Sequence, residues 1–334
     1  MEGTTVNEHS LEVLEQYDMV VERTARGRGT YLVWTDKGFY QLFEYSGTDT
    51  RLAFERKLLL YISEAGFENV DMIYKTKEGE LYCKDFSGTK YILKRCFSGK
   101  ECDIKKNSDI VKAVDVMAKL HLLVNKIDDE ELRSYEINST SLLEQYKKHN
   151  RELKRVRTFI RNKNRRTKFE YDILKHFDEY YSYAVDAYEA LEESGYVELR
   201  KRALEDFSIC HGAYNYHNVL MVDSGVAVVN FDHANVNLQL EDLYFFLRKV
   251  MEKHDWDVKL GSQIIDKYNE ARPMDEGEWQ VFKVMLMYPE KYWKILNQYN
   301  NGRKSWIPDK NVEKLQAVYG KQHLKMEFVK RIWT

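Results

Sequence analysis

The sequence predicts an α+β protein of two lobes: a small lobe of strands plus one helix over residues 1–97, then a larger helical lobe over 98–334. Three observations predict it. Between Tyr17 and Phe97, short apolar runs are separated by glycine-bearing turns, the pattern of paired strands. Inside that region, Asp49 to Ala65 switches to a spacing of three and four. Beyond Gly99 the spacing is helical almost throughout, and the chain has only 3 prolines to interrupt it.

The elements follow in order. Val20-Val21, Thr30 to Trp34 and Phe39 to Tyr45 read as strands, with Asp36-Lys37-Gly38 turning between the last two. Arg26-Gly27-Arg28-Gly29 occupies the first strand turn. Glycines there suit a hairpin, and the two arginines can also bind an anion. Asp49 to Ala65 places Leu52, Leu58, Leu59 and Ile62 on one helix face, and Gly66 ends it. Met72 to Lys75, Glu80 to Lys84 and Lys90 to Cys96 read as further strands, with Lys77-Glu78-Gly79 joining the first two. Ser98-Gly99 is the expected hinge. Next comes a helix capped by Asn107 or Ser108, burying Ile110, Val114, Met117, Ala118 and His121. A long helical region spans Ser141 to Leu204, and loops fill 207–232. Helices are expected over Gln239 to Lys253, Val258 to Glu270, Glu276 to Asn300 and Asn311 to Ile332. The sequence has no internal repeat.

Composition narrows the classes. At 43% hydrophobic, with 16 glycines, the chain has the make-up of a folded protein. A net charge of −2 gives no general attraction to nucleic acid or anionic membrane. No apolar run approaches the ~20 residues of a spanning helix. Met1 to Ser10 is polar and lacks a signal-peptide core, so the cytosol is the expected compartment. Cys83, Cys96, Cys102 and Cys210 lack zinc-site spacing and read as free thiols. The 24 tyrosines read mainly as packing and semi-exposed surface. Between Lys147 and Lys168, eleven Lys and Arg residues face one acid, Glu152, above Leu153, Val156 and Ile160 at helical spacing. That is either the solvated face of an amphipathic helix or a docking site for an acidic partner. Nucleic acid fits poorly, because only Phe159 interleaves the charges.

The chemistry concentrates in Cys210-His211-Gly212-Ala213-Tyr214-Asn215-Tyr216-His217-Asn218-Val219-Leu220 and in Val228-Val229-Asn230-Phe231-Asp232. These stretches resemble the catalytic and metal-binding loops of the aminoglycoside/choline kinase-like superfamily, H-G-D-x-x-x-x-N and then an apolar strand ending in D-F or D-W. The resemblance retains His211 and Asn218. Ala213 stands where the catalytic carboxylate belongs and cannot accept a proton. Asn230 stands where the magnesium-binding Asp belongs, and a neutral amide holds a hard dication less well. Asp232, two residues on, would share a strand face with Asn230. It either takes part of the metal role or serves as a loop cap or salt bridge. Phe43 replaces the phosphate-gripping lysine of the third strand. Without that lysine, Glu55 in the following helix reads as a solvated or cross-lobe residue. Arg26, Arg28 and Glu55 are thus the nucleotide-side candidates, and Asn218, Asn230 and Asp232 the metal-side ones.

A narrower resemblance covers most of the chain. Tyr31 to Tyr40, Arg51 to Phe67, Tyr91 to Cys102, Met117 to His121, the 210–220 loop, Glu241 to Asp257 and Tyr288 to Pro308 are similar to the CotS-type spore coat proteins. The resemblance implies a two-lobed kinase-like fold, coat-protein partners, and residence in the mother-cell cytoplasm and then the coat. Asp242 resembles that family's mostly structural acid in the helix after the metal loop. With positions 43, 213 and 230 altered together, the expectation is a pseudokinase scaffold with no catalytic residue and no cofactor. Two alternatives remain: an atypical kinase using ATP and magnesium on small molecules or proteins, and a module binding an anionic ligand through Arg26 and Arg28.

Overall fold

A computed structural model describes residues 11–137, 139–302 and 309–332. The Met1–Ser10 stretch and the 303–308 part of the Tyr288–Pro308 resemblance fall outside the described residues. The chain gathers into two compact units, residues 1–137 with 209–235 and residues 138–208 with 236–334.

The first unit is built on a sheet of β1 (Val21–Arg26), β2 (Tyr31–Thr35), β3 (Gly38–Glu44), β4 (Ile73–Tyr74), β5 (Cys83–Lys84) and β6 (Lys90–Arg95). Its order is β1-β2-β3-β6-β4, with β5 also on β6. The strands expected at Met72–Lys75 and Glu80–Lys84 are therefore shorter than their apolar patterns suggested. In the Arg26–Gly29 turn, Gly27 N–H donates to the Thr30 carbonyl at 2.9 Å, which makes it a hairpin. α1 (Asp49–Glu64) begins where the Thr48 hydroxyl accepts the Arg51 N–H. It buries Leu52, Leu58, Leu59 and Ile62 as spaced, together with Glu55. A short 3₁₀ helix, Glu12–Gln16, was not anticipated. It sets Val13 and Leu14 against Val33, Leu42 and Leu93 of the sheet.

The same unit holds β7 (Gly99–Glu101), β8 (Ile209–Cys210), β9 (Val219–Val222) and β10 (Gly225–Val228), and β11 (Asn235–Val236) starts there. Gly99 is not a free hinge. β7 pairs with β9, and a Cβ on Gly99 would lie 2.7 Å from the Met221 carbonyl oxygen. That glycine answers to a close strand approach. α2 (Asn107–Leu123) buries the expected stripe, but neither Asn107 nor Ser108 caps it. The N-cap position is Lys106, with no side-chain cap. α3 (Glu130–Arg133) is capped by Asp129.

In the second unit the expected 141–204 helical region is three helices: α4 (Leu142–Arg161), α5 (Lys168–Glu193) and α6 (Tyr196–Glu205). Capping boxes at Ser141/Glu144 and Thr167/Glu170 start the first two, and Gly195 at φ 76° precedes the third. α7 (Leu240–Met251), α8 (Val258–Ala271), α9 (Glu276–Met287), α10 (Glu290–Asn301) and α11 (Asp309–Arg331) complete it. The expected Glu276–Asn300 helix divides at Tyr288-Pro289, since proline has no N–H to continue the ladder. Tyrosine packing is prominent: Tyr146 stacks on Tyr288 with ring centroids 3.8 Å apart.

Along the basic segment Leu153, Val156 and Ile160 are buried as their spacing predicts. Several of its charges are used locally. Arg157 pairs with Asp178 at 2.6 Å, Lys163 with Glu170 at 2.5 Å, and Arg166 closes the Ile160 carbonyl at 2.9 Å. Arg151, Arg155 and Arg161 remain exposed.

Candidate functional site

A lysine stands beside the third strand, on the sixth. β3 and β6 are antiparallel, with Gln41 opposite Lys94 and Phe43 opposite Ile92. Alternation puts all four side chains on one sheet face. Lys94 Nζ lies 6.0 Å from the centre of the Phe43 ring. It donates to Glu55 Oε1 at 2.5 Å and to Asp71 Oδ2 at 3.2 Å. Glu55 is thus no solvated residue: it is completely buried and ion-paired. A charged residue closing the apolar run Tyr91-Ile92-Leu93 was the available signal.

Asp71, also unanticipated, couples this cluster to the downstream loops. Val70 bridges to Val228 in parallel fashion, and Val228 N–H donates to the Asn69 carbonyl at 3.0 Å. That pairing brings Asp71 to the end of β10, where its Oδ2 accepts the Asn230 N–H at 2.9 Å. Burial pushes the Asp71 carboxyl up to about 6; Lys94 opposes the rise, the Glu55 charge adds to it, and the Asn230 N–H opposes it again. For Lys94, burial disfavours the ammonium, but Asp71 and Glu55 outweigh it and the pKa is raised.

The two metal-side asparagines come together. Asn230 Nδ2 donates to Asn218 Oδ1 at 2.9 Å, and Asn218 Nδ2 to the Ala213 carbonyl at 3.0 Å. Asp232 does not share a strand face with Asn230. Asn230 is left-handed, at φ 66°, and Phe231–His233 forms a 3₁₀ turn. Arg51 grips the Asp232 main-chain carbonyl with Nε at 2.8 Å and Nη2 at 2.5 Å. The Asp232 carboxylate is half exposed and 3.5 Å from His233 Nε2.

His211 serves the loop's shape. Its Nδ1 accepts the Ala213 N–H at 3.2 Å, which leaves Nε2 to carry the proton toward the Val229 carbonyl, 3.0 Å away. Gly212 is required by geometry. It sits at φ 75°, and a Cβ there would be 2.1 Å from the His233 carbonyl oxygen. Arg26 and Arg28 are both exposed at the β1–β2 hairpin. Among the described residues no cluster of three or more His, Cys, Asp or Glu side chains suits a metal. None of the described helices is long and apolar enough to cross a membrane.

A strand-rich amino-terminal lobe, a larger helical lobe, and a histidine-glycine loop followed by a strand-borne Asn-Phe-Asp turn define a kinase-like α+β protein. Solved structures of this fold extend over nearly the whole chain. An aminoglycoside phosphotransferase from Alicyclobacillus acidocaldarius matches with a TM-score of 0.85 at 15% identity, covering 99% of this chain and 96% of that one. A spectinomycin phosphotransferase, APH(9)-Ia, in complex with ADP and spectinomycin matches with a TM-score of 0.66 at 10% identity, covering 98% and 99%.

The chain belongs to the family described as spore coat putative kinase YutH, which matches residues 10–332. That membership is consistent with the CotS-type resemblance, and the fold is the one seen in the phosphotransferases above. Spore coat protein S of Bacillus subtilis (strain 168) is 24% identical over 166 residues, 49% of this chain and 47% of that protein, so the match spans about half of the relative's length. One expectation is overturned. The absence of any cofactor does not stand, because the same fold is captured with bound ADP.

Proposed function

We propose that this chain is a nucleotide-binding, kinase-like spore coat protein that acts as an atypical, slow ATP-dependent kinase. One observation carries the reading: the buried Lys94–Glu55–Asp71 cluster, joined to the Asn230–Asn218 pair, rebuilds charge that positions 43 and 230 lack. Phosphoryl transfer needs positioned phosphates, a held dication and an oriented nucleophile, with little covalent chemistry from the protein.

The residues present fit a magnesium-nucleotide. Glu55 Oε2 and Asp71 Oδ1 are buried without a hydrogen-bond partner, a deficit that a cation fills. Asp71, Asn218 and Asn230 would hold the metal through hard oxygen donors, and Lys94 would bring positive charge to the phosphates. When bound, the magnesium-nucleotide supplies the phosphoryl group. Ala213 takes no proton, and both nitrogens of His211 are engaged in the loop. Proton removal is therefore left to the substrate or to water, and turnover is slow.

Thermal unfolding with ATP, with and without magnesium, tests this. Ligand at a hundred times its Kd stabilises by about 2.7 kcal/mol. A magnesium-dependent rise that shrinks in Asp71→Asn supports the reading, and no response to ATP at any magnesium level rejects it. Turnover that drops in Asp232→Ala would add Asp232 to the metal site.

Ala213 favours a second reading, a scaffold that holds nucleotide without turning it over and presents its surface to other coat proteins. A magnesium-dependent shift with no phosphoryl transfer separates the two. An anion-binding module at Arg26 and Arg28 is a third; a ligand response unchanged in an Arg26/Arg28 double substitution rejects it. Residence in the mother-cell cytoplasm and then the coat, and a lobe division at 97/98, belong to the same proposal. So does an acidic partner for 147–168, tested by salt-dependent binding that weakens on neutralising Arg155, Arg157, Arg161 and Lys163.

A further inference from the structure

The second unit contains a cavity of about 270 Å³, walled by α5, the end of α7, the start of α10 and α11. Its ionisable groups are lopsided: the basic side chains of Arg248, Lys253, Lys291, Lys314, Lys321 and Lys325 line it, against Glu252 and Glu290. Both carboxylates are engaged. Glu252 takes Arg248 and also Lys291, the latter at 2.9 Å, while Glu290 takes Lys294 at 3.1 Å. Lys321 is paired with Asp255.

Three of the residues that wall the cavity each carry a buried polar atom with no hydrogen-bond partner: Arg248 Nε, Gln322 Nε2 and Tyr292 Oη. Their residues are 4%, 9% and 0% exposed. Buried donors are ordinarily satisfied, and a small turn of these side chains toward the cavity would offer three of them to an acceptor. The local field agrees. Burial pushes Lys325 down to about 7, Arg248 adds to the fall, and Glu252 and Glu290 oppose it. Lys314 is lowered by burial and then by Lys291, Lys310 and Lys253.

We propose that this cavity binds a small organic phosphate, its oxygens on Arg248, Gln322 and Tyr292 and its organic part against Tyr180 and Trp256. A phosphate offers more acceptor oxygens than a carboxylate to three donors and a set of ammonium groups. The volume lies under the roughly 300–1,000 Å³ of pockets for drug-sized ligands, which selects a compact monophosphate ester. Every lining residue belongs to the second unit, so the site is separate from the Lys94 cluster.

The test is calorimetric titration of the full chain with phenyl phosphate, with benzoate as the carboxylate control. Tyr292→Phe and Gln322→Leu each delete an unpartnered polar group while keeping its bulk, so the unliganded melting temperature should hold or rise. The double variant should bind phenyl phosphate at least tenfold more weakly. Lys314→Glu, at a half-buried position, should also weaken it and reduce its salt dependence. No binding by the wild type, equal affinity in the double variant, or benzoate binding as tightly as phenyl phosphate would overturn the proposal.

Discussion

Lys94 Nζ sits 2.5 Å from Glu55 Oε1, although the strand residue and the helix residue are 39 positions apart. The pair forms because β6 lies beside β3 with Lys94 on the same sheet face as Phe43. The third strand carries Phe43 where the resemblance puts a lysine, and the neighbouring strand places Lys94 on the same face. Glu55 and Asp71 are the partners that the buried ammonium requires.

Removing that ammonium leaves two carboxylates buried together. Lys94→Met is expected to lose about 3–5 kcal/mol of stability and the magnesium-ATP response with it. Denaturant unfolding measures the first; a loss below about 1 kcal/mol would mean that the cluster opens to water at little cost.

Restoring the missing proton acceptor should raise the rate. Ala213 is only partly buried, so Ala213→Asp can be accommodated. Phosphoryl transfer from labelled ATP is expected to rise by roughly 10²–10⁴. An unchanged rate would show that proton removal does not limit turnover.

Gly212 gives a stability test of the His211–Asn218 loop. Gly212→Ala forces a side chain into φ 75° and against the His233 carbonyl. Backbone strain alone predicts a loss of about 1–3 kcal/mol, read as a lower melting temperature. A wild-type melting temperature would mean that the loop relocates without penalty.

Lys325 gives a pH test. Its ordinary value of 10.5 falls to about 7 in the folded chain, so between those values the unfolded chain binds the proton that the folded chain releases. The contribution to stability is complete above the unfolded pKa, declines as pH falls toward 7, and is gone below it. Arg248, Glu252 and Glu290 are the charges facing this amine. Wild type should therefore gain more stability than Lys325→Met on going from pH 7 to pH 10, by up to about 1.4 kcal/mol per pH unit. Parallel stability curves would place a charged Lys325 in the folded state at pH 7.

Much of the framework was legible. Alternation located β2, β3 and β6, and helical spacing located the buried faces of α1, α2 and α4. The errors share a cause. The sequence marks Gly99 as a hinge because a glycine in sequence shows its freedom and not the strand packed on it. Spacing alone puts Asp232 on a strand face with Asn230, because the left-handed turn at Asn230, held by Asp71, is a long-range effect.

The sequence by itself determined the main strands, the buried faces of the principal helices and the stretch that carries His211 and Asn218, and it placed Phe43, Ala213 and Asn230 where the resemblance puts a lysine and two carboxylates. These follow from local periodicity and residue chemistry. Only the tertiary structure decided that Lys94 and Asp71 stand beside Glu55 and Asn230, because strand register and a parallel bridge at Val70 bring distant charges within hydrogen-bond reach. The same holds for the cationic cavity, whose walls come from four helices spread between Lys168 and Arg331. Burial strengthens the interactions between those groups and leaves unpaired donors in need of a partner, and burial is a property of the assembled fold.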